Sequence, residues 1–69
     1  MKGTTLKAGD TATLTGQFYG VNKNLDVDWD APITLDGVKA LFSEEDENER
    51  GAVAYYETAD GEIYAELVA

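Results

Sequence analysis

The sequence predicts a small all-β domain, an antiparallel meander or an SH3/OB-like barrel of four or five short strands. Three observations carry this expectation. Residues 52–69, AVAYYETADGEIYAELVA, hold two alternating runs about a turn signal at Ala59, Asp60 and Gly61. Residues 11–21, TATLTGQFYGV, alternate small or apolar with polar side chains and are rich in strand-favouring Thr, Phe, Tyr and Val. Residues 25–31, LDVDWDA, alternate strictly, with Leu25, Val27, Trp29 and Ala31 on one side and Asp26, Asp28 and Asp30 on the other.

Taken in order, Ala8, Gly9 and Asp10 form a turn into a first strand at Thr11 to Val21. Gly16 in its middle favours a bulge or sharp bend, as a small barrel needs to curl its sheet. Leu14 and Phe18 are its expected core residues. Asn22, Lys23 and Asn24 make the next turn, before the acidic strand. Pro32, with no amide proton to donate, is expected to end the pairing there or to confine it to an edge.

Residues 33–42 have two readings. As strands, 33–35 and 38–42 meet around Asp36-Gly37 or form one bent strand with Val38, Ala40 and Phe42 inward. The competing reading is one short helix within 34–47, capped by Thr34 with Leu35, Val38, Leu41 and Phe42 as its stripe, although Gly37 in the first turn disfavours it. The strand reading is preferred. Residues 43–51, dense in acid, are expected as a solvated loop ending at Gly51.

For the C-terminal hairpin, a loop of Ala59-Asp60-Gly61 with Gly61 at positive φ pairs Thr58 with Glu62, Tyr56 with Tyr64 and Val53 with Leu67. That register puts Val53, Tyr55, Ile63, Ala65 and Leu67 on one face and Tyr56, Thr58, Glu62, Tyr64 and Glu66 on the other. A two-residue Asp60-Gly61 turn shifts the pairing by one and mixes the faces. Trp29 and Tyr55 are expected inside, with Tyr56 and Tyr64 as a cross-strand pair that becomes a contact patch if exposed.

Sixty-nine residues make one domain, 1–69, near the lower size limit for a fold held by its core alone. With no Cys and no His, disulfides are excluded and a zinc site is disfavoured. Residues 1–10 carry Lys2 and Lys7 but no apolar stretch like a signal peptide, and no run reaches transmembrane length. The expected location is cytoplasmic, meaning host cytoplasm or virion if the protein is phage-encoded.

The net charge of −9 and pI near 4.1 oppose direct binding to nucleic acid or anionic membrane and point to a protein partner with a basic surface. The imbalance lies in residues 26–69, while residues 1–25 hold Lys2, Lys7 and Lys23 against Asp10. Such asymmetry also allows head-to-tail contact between copies, so a homo-oligomer is a second expectation.

Asp26, Asp28 and Asp30 have the spacing that opens a calcium loop, yet Ala31 stands at the sixth position where Gly is needed and Gly37 at the twelfth where a bidentate Glu is needed. No metal or cofactor is expected. The row reads instead as a solvent face that blocks edge aggregation or, together with Glu44, Glu45, Asp46, Glu47 and Glu49, as an imitation of a phosphate array. The candidate partner-binding set is thus Asp26, Asp28, Asp30, Glu44, Glu45, Asp46, Glu47, Glu49, Tyr56 and Tyr64. Catalysis is not expected: without His or Cys, and with Ser43 as the one serine, no nucleophile with a histidine base can be assembled.

The expected function is a non-enzymatic acidic module acting stoichiometrically on a basic partner surface, in the manner of DNA-mimic inhibitors of phages and mobile elements. A structural accessory subunit of a virion or homo-oligomer is the alternative from another class. The surface-acidic domain of a salt-loving host is the third.

Overall fold

The computed structural model describes residues 6–68. Residues 1–5, read above for a leader, and Ala69, at the end of the hairpin, lie outside the described residues. Four antiparallel strands, β1 (Thr11–Val21), β2 (Val27–Asn48), β3 (Gly51–Thr58) and β4 (Ile63–Leu67), form one closed barrel in the order β1-β2-β3-β4. The all-β meander is therefore the architecture of the chain. No helix of the described residues is long and apolar enough to cross a membrane.

The closure depends on the length of β2. Its 22 residues, fully extended at roughly 3.3 Å each, would run about 70 Å, whereas the longest dimension of the molecule is 28 Å. The strand must therefore coil. It pairs with β1 through Val27 to Leu41 and with β3 through Ala40 to Asn48, so one chain segment serves as two barrel staves. Three irregularities supply the bending. Gly16, at φ 125°, adjoins a register shift after Leu14, opposite Gly37 at φ 74°. Ser43 is bulged out between Phe42 and Glu44. Between the pairs Tyr19–Pro32 and Val21–Val27 β1 advances two residues while β2 covers five, so residues 28–31 arch away from the ladder.

These bulges decide one open reading in favour of the preferred strand and correct two expectations. The region 34–47 is strand, not helix, because each half of it has a partner strand to satisfy its amides. Pro32 does not end the pairing. It sits opposite Tyr19 at the edge of the 28–31 arch, where the ladder is already interrupted and a missing donor removes little. Residues 43–48 belong to β2 rather than to a solvated loop, since they lie against the apolar run Ala52-Val53-Ala54 of β3. Only Glu49 and Arg50 remain as the tight turn, with the Arg50 amide donating to Asn48 Oδ1 at 2.8 Å.

The barrel interior is filled by Leu14, Phe18, Leu35, Ala40, Phe42, Ala54 and Tyr56. Tyr56 meets two phenylalanines edge-on, Phe18 at 5.9 Å and Phe42 at 5.6 Å between ring centres, the arrangement that the ring quadrupoles favour. The turn at Ala8 and Gly9 is tied to this core, because the Gly9 amide donates to the Phe42 carbonyl and the Phe42 amide to the Asp10 carbonyl.

The hairpin of β3 and β4 has the expected register: Tyr56 faces Tyr64 and Val53 faces Leu67. Gly61 has φ 89°, and the Thr58 amide donates to the Glu62 carbonyl at 2.9 Å. Which face points inward is a correction. Tyr56, not Tyr55, enters the core, and Trp29 packs outside the barrel against Tyr19. Val53 and Ala65, on the Tyr55 side, are nevertheless fully buried, so β3 is covered on both faces along Ala52-Val53-Ala54.

Candidate functional site

The outward side of β3 and β4 carries a groove rather than a flat surface. Leu25, Ser43, Glu44, Asp46, Tyr55 and Ile63 line a cavity of about 220 Å³. Each reaches it for a local reason. In the register of β2 with β3, Glu44 lies opposite Tyr55 and Asp46 opposite Val53, which puts both carboxylates on the Tyr55 side. The extra residue at Ser43 is what rotates this half of β2, since Phe42 just before it points into the core. Glu57 pairs with Ile63 and Tyr55 with Ala65, which brings Ile63 diagonally beside Tyr55 on the same face.

Leu25 arrives from a different element. The turn 22–26 is closed by the Asn22 amide on the Asp26 carbonyl at 3.0 Å and the Leu25 amide on the Asn22 carbonyl at 2.9 Å. Asn22 Oδ1 also accepts from the amides of Asn24 and Asp26. This clamp holds Leu25 at φ 66°, the one described residue other than glycine in the left-handed region. There a bulky side chain costs roughly 1–2 kcal/mol. The side chain is also 63% exposed, so neither burial nor backbone preference accounts for an apolar residue at this point.

The structure divides the predicted partner-binding set. Asp26, Asp28 and Asp30 are all exposed. Asp26 and Asp28 line a second depression with Gly20, Val21, Asn22 and Val27, and Asp28 Oδ1 accepts from the Asp30 amide at 3.3 Å, within the arch. Glu44 and Asp46 enter the groove, whereas Glu45 and Glu47 pair with Ala54 and Ala52 and so project on the opposite side of β2. Glu49 is exposed in the turn. The acids of 44–49 therefore do not form one array.

Tyr56 is the clear correction: it is 4% exposed inside the barrel and cannot serve as a contact residue. Tyr64 is half-buried and packs against the same core. Leu25 was missed because it read as the first residue of the alternating strand. The available signal was Asn22-Lys23-Asn24 just before it, a sequence whose first Asn commonly folds its side chain back onto the chain.

The phenol of Tyr56 donates to Glu66 Oε1 at 3.2 Å. Its pKa is pushed up to about 12 by burial first, then by the charge and hydrogen bond of Glu66 and the charge of Glu45. Because the folded value lies above the unfolded one near 10, the unfolded chain releases this proton first as pH rises. The stability this phenol contributes is thus fully present below pH 10 and is lost between pH 10 and about 12. Urea melts across that range should show the decline, and Tyr56→Phe should flatten much of it. A smaller slope should persist from Tyr55, whose pKa is raised by burial and by Asp46 and Glu44. An unchanged slope in Tyr56→Phe would contradict the assignment.

Among the described residues, no three side chains of the metal-binding types gather closely enough to hold an ion. No family model matches the chain, and comparisons with curated proteins and with solved structures give no match.

Proposed function

We propose that the protein is a non-enzymatic module that binds a basic surface of a partner protein, one copy to one partner. The observation that carries this reading is the surround of Leu25. Glu44 and Asp46 line its groove, Asp26 and Asp28, next along the chain, line a second depression, and no Lys or Arg lines either among the described residues. Exposed apolar area supplies affinity, and carboxylates around it select the sign of the partner.

The separation of Glu44 and Asp46 from Glu45 and Glu47 favours a local contact over an extended phosphate imitation. The DNA-mimic form of the proposal, an inhibitor from a phage or mobile element acting in the host cytoplasm, rests on the row Asp26, Asp28 and Asp30. The test is affinity capture with mass spectrometry at low and high salt, comparing the protein with its D26N/D28N/D30N variant. Capture should fall about tenfold, equal to ~1.4 kcal/mol, in the variant and again in high salt, since exposed charges are screened. Identical capture under all conditions would contradict the proposal. A salt-resistant homo-oligomer in sedimentation would favour the structural-subunit reading instead.

A further inference from the structure

The groove is too small for most metabolites and open enough for a single side chain. Ligand pockets usually offer roughly 300–1,000 Å³, against about 220 Å³ here. Its chemistry is divided: Leu25, Tyr55 and Ile63 provide apolar surface, and Glu44 and Asp46 provide two carboxylates. The carboxylates are two residues apart on one side of β2, which sets them about 6.6 Å apart along the strand. The Tyr55 phenol lies within reach of both: its pKa is raised by burial first and then by the charges of Asp46 and Glu44.

We infer that the groove of Leu25, Ser43, Glu44, Asp46, Tyr55 and Ile63 takes the side chain of an arginine presented by a partner protein. This deepens the reading of the protein as a binder of basic surfaces and rests on it. A long cation fits because its methylene stem covers Leu25 and Ile63 while its head reaches the carboxylates. Arginine is preferred to lysine for two reasons. Its planar fork donates to two acceptor groups at once, and its weakly hydrated guanidinium stacks on an aromatic ring such as Tyr55. The same chain shows that contact once already, with the Arg50 guanidinium over Trp29 at 5.1 Å from the ring centre. Arg50, the one arginine of the sequence, already lies over its own Trp29 and a second copy would have to give up that contact to supply the occupant, so the arginine is assigned to a different protein.

The position of Leu25 separates binding from folding. At φ 66° glycine is relaxed and leucine is strained, so Leu25→Gly should leave the melting temperature unchanged or higher while removing one apolar wall.

The experiment is amide chemical-shift mapping on the full chain with three blocked peptides, each a central residue flanked by glycines: arginine, lysine, and citrulline as the neutral isostere of arginine. The arginine peptide should shift Leu25, Glu44, Asp46, Tyr55 and Ile63 in a saturable, millimolar titration. The lysine peptide should bind several-fold more weakly, and the citrulline peptide should not bind. E44Q/D46N should abolish the response, and Leu25→Gly should weaken it about tenfold at undiminished melting temperature.

Shifts centred on Asp28 and Asp30, equal responses to lysine and arginine, or indifference to E44Q/D46N would each overturn the inference, as would concentration-dependent self-association that masks these residues. If the peptides miss the groove while D26N/D28N/D30N still loses the captured partner, the arginine assignment falls and the basic-surface reading stands. If no charge change alters capture, the reading itself falls.

Discussion

Phe18→Ala is expected to leave a large fraction of the protein unfolded at room temperature. Phe18 is 1% exposed at the centre of the barrel, and its ring meets Tyr56 edge-on at 5.9 Å. Truncating a buried phenylalanine costs about 3–5 kcal/mol, partly as lost transfer energy and partly as the cavity left behind. A domain of 69 residues holds roughly 3–10 kcal/mol in all at the usual stability per residue. The loss therefore approaches the whole. No disulfide is present to hold the chain together, since the sequence has no cysteine.

Collapse of the neighbouring side chains into the space is limited, because Leu14, Leu35 and Phe42 are themselves held by paired strands on three staves. Urea denaturation followed by circular dichroism should show a strongly reduced midpoint with little change in slope. Ile33, opposite Phe18 in the ladder but 39% exposed, is the control: Ile33→Ala should cost well under half as much. Equal losses at the two positions would mean that Phe18 is not the centre of the core.

The second large effect is expected at Gly16, and it is conformational. A Cβ built on Gly16 meets nothing within 4 Å, so alanine is not excluded by space. Its φ of 125° lies far beyond the small left-handed well at roughly +50 to +70° that other residues can visit. Forcing a side chain there costs about 1–3 kcal/mol. Gly37, also with open space around it, has φ 74°, close to that well.

The two glycines therefore predict different responses to the same substitution. Gly37→Asn should be tolerated within about 1 kcal/mol, because asparagine populates the left-handed region, whereas Gly16→Asn should lose as much as Gly16→Ala. Thermal melts of the four variants (Gly16→Ala, Gly16→Asn, Gly37→Ala and Gly37→Asn) decide the matter. If Asn rescues both positions equally, the bend at Gly16 has not been understood. The consequence reaches beyond stability, since this bend begins the curl that closes β1 onto β4.

Much of the fold was legible where local chemistry and tertiary demand agree. The strand at Thr11–Val21 and the hairpin register follow from alternation bounded by turn residues. Thr58 reinforces that register, donating to Asp60 Oδ1 at 2.6 Å and accepting from the Glu62 amide at 3.1 Å. What alternation could not show was the inward face of the hairpin. Along Ala52-Val53-Ala54 both faces are buried, so apolar residues stand on each side and the pattern loses its sign.

The length of β2 was hidden for another reason. Pro32 and the run of acids after Ser43 read as terminators, yet a proline beside an arch costs little, and the acids project from both sides of β2 while their backbone pairs with β3. Of the candidate site, the carboxylates were visible as composition and their division across β2 was not, because the bulge at Ser43 that sets it has no sequence signature. Leu25 was concealed by an alternation it does not belong to.

The groove depends on one placement: Tyr56 inside against the phenylalanines, and Tyr55 outside in one cavity with Glu44 and Asp46. Through-space proton contacts between aromatic rings, measured by nuclear Overhauser spectroscopy on the assigned protein, test this directly. The ring protons of Tyr56 should show contacts to both Phe18 and Phe42, and those of Tyr55 to neither. Contacts from Tyr55 to either phenylalanine, with Tyr56 lacking them, would invert the hairpin and remove the groove.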